Sequence, residues 1–201
     1  MSNVIIKLLG LGALFAALVY TVLLYNGLVR LKNNIHQAWA NIDVLLKQRH
    51  EELPNLVAVC KQYMQYEQKV LESVVRARAE VAAAQERWDV QSLGAAESEL
   101  RKGLAGLYAV AEGYADLKAD RFFRHLQERI SQLEKQIADW REYYNEAVNS
   151  NNSGVEQFPD LMIARLFGFQ AQALLSFEPG EKTTVLLHPQ FRQPGVVGRD
   201  A

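Results

Sequence analysis

The chain has 201 residues, with 22 Lys plus Arg against 23 Asp plus Glu and a formal net charge of −1. Both signs are interspersed, with no basic tract or basic helix face, which argues against nucleic acid as a partner. A single cysteine, Cys60, excludes an intramolecular disulfide. With one apolar segment set aside, about 175 residues remain, enough for one domain with its own core.

Residues 4–25, VIIKLLGLGALFAALVYTVLLY, carry one charge, Lys7. As a helix this run is roughly 33 Å long, enough to cross a hydrocarbon core of ~30 Å. Lys7 lies one turn from the start and can snorkel to one interface, while Tyr20 and Tyr25 suit the other. A cleaved signal peptide would have a shorter apolar region, ~7–15 residues, ending in a small-x-small site; here the alanines lie in the middle of the run. The expectation is therefore an uncleaved, single-pass signal anchor in the cell (inner) membrane, contacting the lipid bilayer through residues 4–25. Arg30, Lys32, Lys47 and Arg49 come after the segment, while its short N-terminal side offers only Lys7 and the α-amino group. The positive-inside rule then puts the short N-terminus outside and the main domain in the cytoplasm.

No loop signal separates this run from the residues after Tyr25, so one helix is expected to leave the bilayer and enter a bundle. Leu31, Ile35, Ala38, Ile42 and Leu45 form a heptad seam. Pro54 removes a helix hydrogen bond, yet Leu46, Leu53, Leu56, Cys60 and Tyr63 keep the phase. A kink near Glu52–Pro54 is expected there, with the helix direction largely kept. Cys60 reads as a small buried hydrophobe. Asn41 and Asp43 flank the seam and Arg49 lies in line with it; such polar groups fix helix register or sit on the exposed side.

Residues 66–86 form a second helical stretch with Val70, Val74, Ala77, Val81 and Ala84 on one face. Neither Gly nor Pro occurs between Asn55 and Ser92, which leaves continuity with the preceding helix open. A turn is placed at Arg87–Gln91, with Asp89 capping the next helix. Residues 90–115 present Leu93, Ala96, Leu100, Leu104, Leu107, Ala111 and Tyr114, and Gly94, Gly103, Gly106 and Gly113 offer room for a close neighbour. After a turn near Tyr114–Asp120, residues 119–149 carry the strongest coiled-coil-like seam: Phe122, Leu126, Ile130, Leu133, Ile137, Trp140 and Tyr144. NSNNSG at 149–154 reads as a stop. Phe158–Phe169 then predicts a short proline-started helix whose Leu161, Ile163, Leu166 and Phe167 cap the bundle end. KTTVLL is a candidate strand in an otherwise extended or partly disordered tail. The fold class is all-α: an N-terminal transmembrane helix continuing into an antiparallel long-helix bundle. The domains are 1–25 as anchor, 26–170 as bundle and 171–201 as tail.

No catalytic, cofactor-binding or metal site emerges. A carboxylate-bridged di-metal centre needs paired Glu-x-x-His, but His36, His50, His125 and His188 come after Asn33, Lys47, Phe122 and Val185 at that spacing. HExxH, CxxC and a Gly-rich phosphate loop are absent from the sequence. His50-Glu51-Glu52 reads as a solvated helix face before it reads as a weak metal site. Tyr63, Tyr66, Tyr143, Tyr144, Trp39, Trp88 and Trp140 read as seam and core before they read as a cofactor pocket.

The run YNGLVRLKNNIHQAWANIDVLLKQRHEELPNLV at 25–57 resembles the LemA family. So do KQYMQYEQKVLESVVRARAE, GYADLKADRFFRHLQERISQLEKQIADWREYYNEAV and the FP…IARLFGF stretch, in order over roughly residues 20–170. The resemblance implies a single-pass membrane protein with an antiparallel helical bundle, a small outside N-terminus and a cytoplasmic main domain. It brings no catalytic residues, and the tail after Phe169 is longer than the family pattern. The leading expectation is a non-enzymatic scaffold or interaction module at the membrane surface, with protein partners or self-association through its helices. A membrane-tethered enzyme or small-ligand-binding domain with a pocket between helices is the alternative, and a membrane-perturbing or remodelling protein the third.

Overall fold

A computed structural model describes residues 2–87 and 89–176; Trp88, KTTVLL and His188 lie outside them. All regular structure among the described residues is helical: α1 Ser2–Tyr63, α2 Gln68–Glu86, α3 Val90–Ala111, α4 Ala115–Ala119, α5 Arg121–Glu156 and α6 Asp160–Phe167. α1 passes through Pro54 without a break, and Pro54 faces outward. The apolar phase held on both sides of the proline is what keeps the rod together across the weakened turn.

Side-chain pairings set the helix directions. Arg78 and Gln85 of α2 bond to His50 and Asp43 of α1, so α2 runs antiparallel to α1. Glu97 of α3 pairs with Arg49 across the bundle, and α3 then ascends in the same direction as α1. Tyr63 at the far end of α1 bonds to Asp120 at the start of α5, whereas Leu28 packs with Val155 near the end of α5. Four long helices thus run up, down, up and down. α1 packs most extensively on α5, and α2 on α3. The α2–α3 hairpin reaches down only to the level of Asp43. Below it, α1 and α5 continue as a two-helix neck towards the apolar N-terminal run.

The seams account for the core. Ile35, Ala38, Ile42, Leu45, Leu46, Leu53, Leu56 and Cys60 of α1 are buried, as are Val74, Ala77, Val81 and Ala84 of α2 and the α3 positions Leu93 to Ala111. Asp89 caps α3 by accepting from Ser92 N at 3.1 Å, and Asp120 caps α5 by accepting from Phe122 N and Phe123 N at 2.7 and 2.9 Å. Each cap satisfies amide groups that the first helical turn leaves unpaired.

The continuity left open by the sequence is resolved as a break: the chain turns at Met64–Glu67, without Gly or Pro, because α2 must turn back to bury Leu71 and Val74 against α1. Three details depart from the pattern-based reading. The Tyr114–Asp120 connection contains the short helix α4. At the start of α5, Phe123 is buried at 2% exposure whereas Phe122 is 54% exposed, so the seam begins one residue later. NSNNSG does not stop α5, which runs on to Glu156.

The N-terminal run has the opposite character to the bundle. Val4 to Leu23 present large apolar side chains that are 40–69% exposed. Among the described residues, α1 alone is long and apolar enough to cross a membrane.

Candidate functional site

Two polar constructions hold the bundle. The first begins with Arg49, whose seam position on α1 points it inward. Its Nη2 donates to Glu97 Oε1 of α3, 48 residues away in sequence, and both side chains are almost fully buried. The backbones of α1 and α3 scarcely approach one another, so this pair reaches across the bundle between non-adjacent helices. Glu134 of α5 faces the same charges. Burial pushes its carboxyl above the usual glutamate range; Arg49 and Arg101 pull it back, while Glu97 pushes it further up. Burial, with the Glu134 charge second, also raises the Tyr108 phenol, and burial pushes the Cys60 thiol up to about 11. Cys60 is therefore an inert core residue.

Arg49 Nε, Glu97 Oε2, Glu134 Oε1 and Tyr108 Oη have no hydrogen-bond partner among the described residues. Buried atoms of this kind are normally satisfied by ordered water. The chemistry of the set is that of alignment: two carboxylates interleaved with guanidinium groups, with no activated nucleophile between them. Desolvating an ion pair brings little net stability, but leaving one member alone in the core is expensive. Helix registers that separate Arg49 from Glu97 are therefore disfavoured.

The second construction is built by α5 on the chain segment after α6. Asn145 accepts from Leu175 N at 2.8 Å and donates to Leu175 O at 3.0 Å. Asn152 likewise accepts from Gln172 N at 2.8 Å and donates to Gln172 O at 3.0 Å. Asn151 donates to Gln170 O and Tyr144 to Ala173 O, each at 3.1 Å. Side-chain amides thus supply the donor and acceptor that a neighbouring strand would supply to extended backbone. Leu175 is fully buried in the main core, and the Ser176 carbonyl lies where a Cβ on Gly94 would sit. The segment Phe169–Ser176 therefore clasps the neck and ends under the α2–α3 hairpin.

The residues singled out by pattern are dispersed over the bundle. Asp43 is held below the usual carboxylate range despite its burial by Gln85, at 2.6 Å, and Lys47, at 3.0 Å. Asn41 donates to Gln37 O of its own helix. His50 is depressed by burial and then by the Arg78 charge, while Glu52 lies 3.9 Å from Arg129. Among the described residues no three His, Cys, Asp or Glu side chains converge as a metal-binding group. Trp39 meets Tyr144 at 5.7 Å between ring centres and Trp140 meets Tyr143 at 5.5 Å, whereas Tyr63 caps the far end and Tyr66 is 95% exposed. Arg49 alone among these enters the buried polar set. Glu97, Glu134 and the three asparagines carry no sequence signal that separates them from ordinary helix-surface residues.

Comparison with known proteins identifies the lineage. Two relatives are magnetosome proteins MamQ 1 and MamQ 2 of Paramagnetospirillum magneticum (strain ATCC 700264 / AMB-1). Each is 21% identical over 212 aligned residues, covering 94% of this chain and 77% of the relative. The LemA family model matches residues 38–187, most of the chain and all of the bundle beyond the first turns of the neck. This chain, an all-helical bundle carried on one long apolar helix, belongs to the LemA family.

Proposed function

We propose that the protein is a non-enzymatic, membrane-anchored scaffold that holds its bundle at a set height above the bilayer and presents the far end to protein partners. The observation that carries this reading is the unbroken course of α1 from Ser2 to Tyr63. Residues 4–25 span the membrane once, and Asn26–Tyr63 then rise roughly 57 Å at 1.5 Å per residue. A helix that crosses the interface without a hinge fixes both distance and direction. The short N-terminus lies outside and the bundle in the cytoplasm, in keeping with the basic residues after the span.

At the far end a groove of about 950 Å³ is lined by Met64, Tyr66, Leu71 and Val75, with Lys61 and Arg76 beside them. An exposed tyrosine over an apolar floor, with cations beside it, is suited to an interface hot spot. A photocrosslinking residue at Tyr66 in membranes, followed by mass spectrometry, tests the proposal. Adducts to a defined partner or to a second copy are expected; recovery of uncrosslinked monomer alone counts against it. A reporter fused after Ala201 reads the orientation, and an external signal would reverse it.

A further inference from the structure

The helix after the cis Phe158–Pro159 bond has too little polarity for its position. α6, DLMIARLF, carries only Asp160 and Arg165 as charges. Its inner face is satisfied: Ala164 is 1% exposed and packs with Leu28 and Val155, joined by Ile163 and Phe169. The outer face should then be polar, as on any helix laid on a protein surface. Instead Met162 and Leu166, four residues apart on that face, are 63% and 74% exposed, and Phe158 in the turn before the helix is 80% exposed. Among the described residues nothing covers this stripe.

Its place in the fold names the occupant. Tyr25 ends the apolar run of α1, and the Phe167 and Phe169 rings lie 4.8 and 5.8 Å from it. α6 therefore sits at the level where α1 passes from apolar to amphipathic. Tyr25, Phe167 and Phe169 concentrate aromatic rings at that one level, as membrane–water interfaces do. Lys32 lines one groove with Tyr25, Phe167 and Phe169, and Arg165 is exposed on α6 itself; both complement lipid phosphates, with Glu156 and Asp160 as the opposing charges. The stripe also continues the exposed apolar surface of residues 4–25.

We propose that α6 lies in the bilayer interface, with Phe158, Met162 and Leu166 contacting lipid as a second attachment beside the membrane span. This rests on the reading of residues 4–25 as that span. A short amphipathic helix seated at the acyl–headgroup boundary buries such a stripe without crossing the membrane. A second attachment beside the span resists tilting, which one helix alone does not. The clasp transmits that constraint upward, because Phe169–Ser176 connects α6 directly to the base of the α2–α3 hairpin.

The test uses the full chain in phosphatidylcholine vesicles containing brominated lipids. An environment-sensitive fluorophore is attached at Met162→Cys or Leu166→Cys, with Leu14→Cys as the membrane reference and Gln65→Cys as the far-end reference. Cys60 is fully buried and stays unlabelled under native conditions. The expected result is a blue shift and lipid quenching at positions 162 and 166 approaching those at 14, with none at 65. Quenching at 14 but not at 162 or 166 overturns the proposal while leaving the span intact. Disulfide formation between copies of unlabelled Leu166→Cys under a mild oxidant, with no lipid quenching of the labelled protein, assigns the stripe to self-association and also overturns it. Absence of quenching at 14 removes the span itself, and the proposal with it.

Discussion

The middle of the bundle and its membrane end break the inside–outside rule in opposite directions. The middle buries Arg49 and Glu97, two charges that water would solvate at no cost. The end exposes Phe158, Met162 and Leu166, which a slightly different helix would have turned inward. A buried ion pair is close to neutral for stability when intact and severe when broken, so it acts on which arrangement forms. An exposed apolar stripe costs little while the chain is folded and acts on what the surface meets. The first departure specifies the bundle from within; the second suits it to its surroundings. They call for different measurements, and each can be broken without the other.

The largest expected effect lies at the buried pair. Arg49→Met leaves the Glu97 carboxylate in the core without its cation and is expected to lower unfolding free energy by about 3–5 kcal/mol. Arg49→Met/Glu97→Leu removes both charges and should recover most of that loss. Denaturant unfolding monitored by circular dichroism in mild detergent reads both. If the single variant costs under ~1 kcal/mol, the pair is solvated and the contrast with the membrane end disappears.

Next in size is the clasp that links the two regions. Asn145→Ala strips Leu175 of a donor and an acceptor in a half-buried place, a loss of about 1–3 kcal/mol for groups left unsatisfied. The loss should fall on the clasp alone. Hydrogen exchange at residues 170–176 should accelerate while the α1 and α5 seams keep their protection. Gly94→Ala should do the same from the opposite side, since its methyl would overlap the Ser176 carbonyl. Uniform acceleration throughout the bundle would instead make the clasp part of the global fold.

How far the sequence reveals these features depends on the range of the interactions behind them. Helix faces depend on neighbours three and four residues apart, so the α2 and α3 seams are visible in the sequence, as is the alignment of Arg49 with the α1 seam, but not whether its charge faces inward or outward. Glu97 is hidden in ESELRK, where a glutamate reads as a solvated charge; its partner belongs to a helix far away in sequence. Asn151 and Asn152 look like a helix stop because asparagine often satisfies its own turn. Here their amides are engaged by Gln170 and Gln172, and that segment's course is a tertiary fact. The break at Met64–Glu67 has no Gly or Pro to announce it. The Phe122–Phe123 choice is lost because two adjacent aromatics fit the period almost equally well.

Glu134 gives a smaller effect with a definite pH signature. Its carboxyl is raised in the folded protein by burial, against the pull of Arg49 and Arg101. A raised folded-state pKa favours folding most below the unfolded value, 4.5, and that contribution is lost as pH rises through the folded value. At neutral pH the ionised Glu134 therefore penalises the fold, and Glu134→Gln should stabilise it. Near pH 4 the variant and the parent should unfold at similar denaturant concentrations. A variant less stable at neutral pH would mean that the two guanidinium groups outweigh burial, making Glu134 a full member of the ion pair.

The smallest expected change tests the other half of the comparison. Met162 and Leu166 contact the protein so little that Met162→Gln/Leu166→Gln should shift unfolding free energy in detergent by no more than about 0.5 kcal/mol. On the inner face of the same helix, Ala164 is 1% exposed, and Ala164→Leu should cost about 1–3 kcal/mol by overpacking against Leu28 and Val155. Thermal unfolding of the two variants side by side separates the faces. A large loss from the glutamine pair would show that the stripe is folded against the protein in solution, and α6 would then be an ordinary capping helix. A small loss leaves Met162 and Leu166 with no reason to be apolar among the described residues, and their chemistry must then answer to something beyond the bundle.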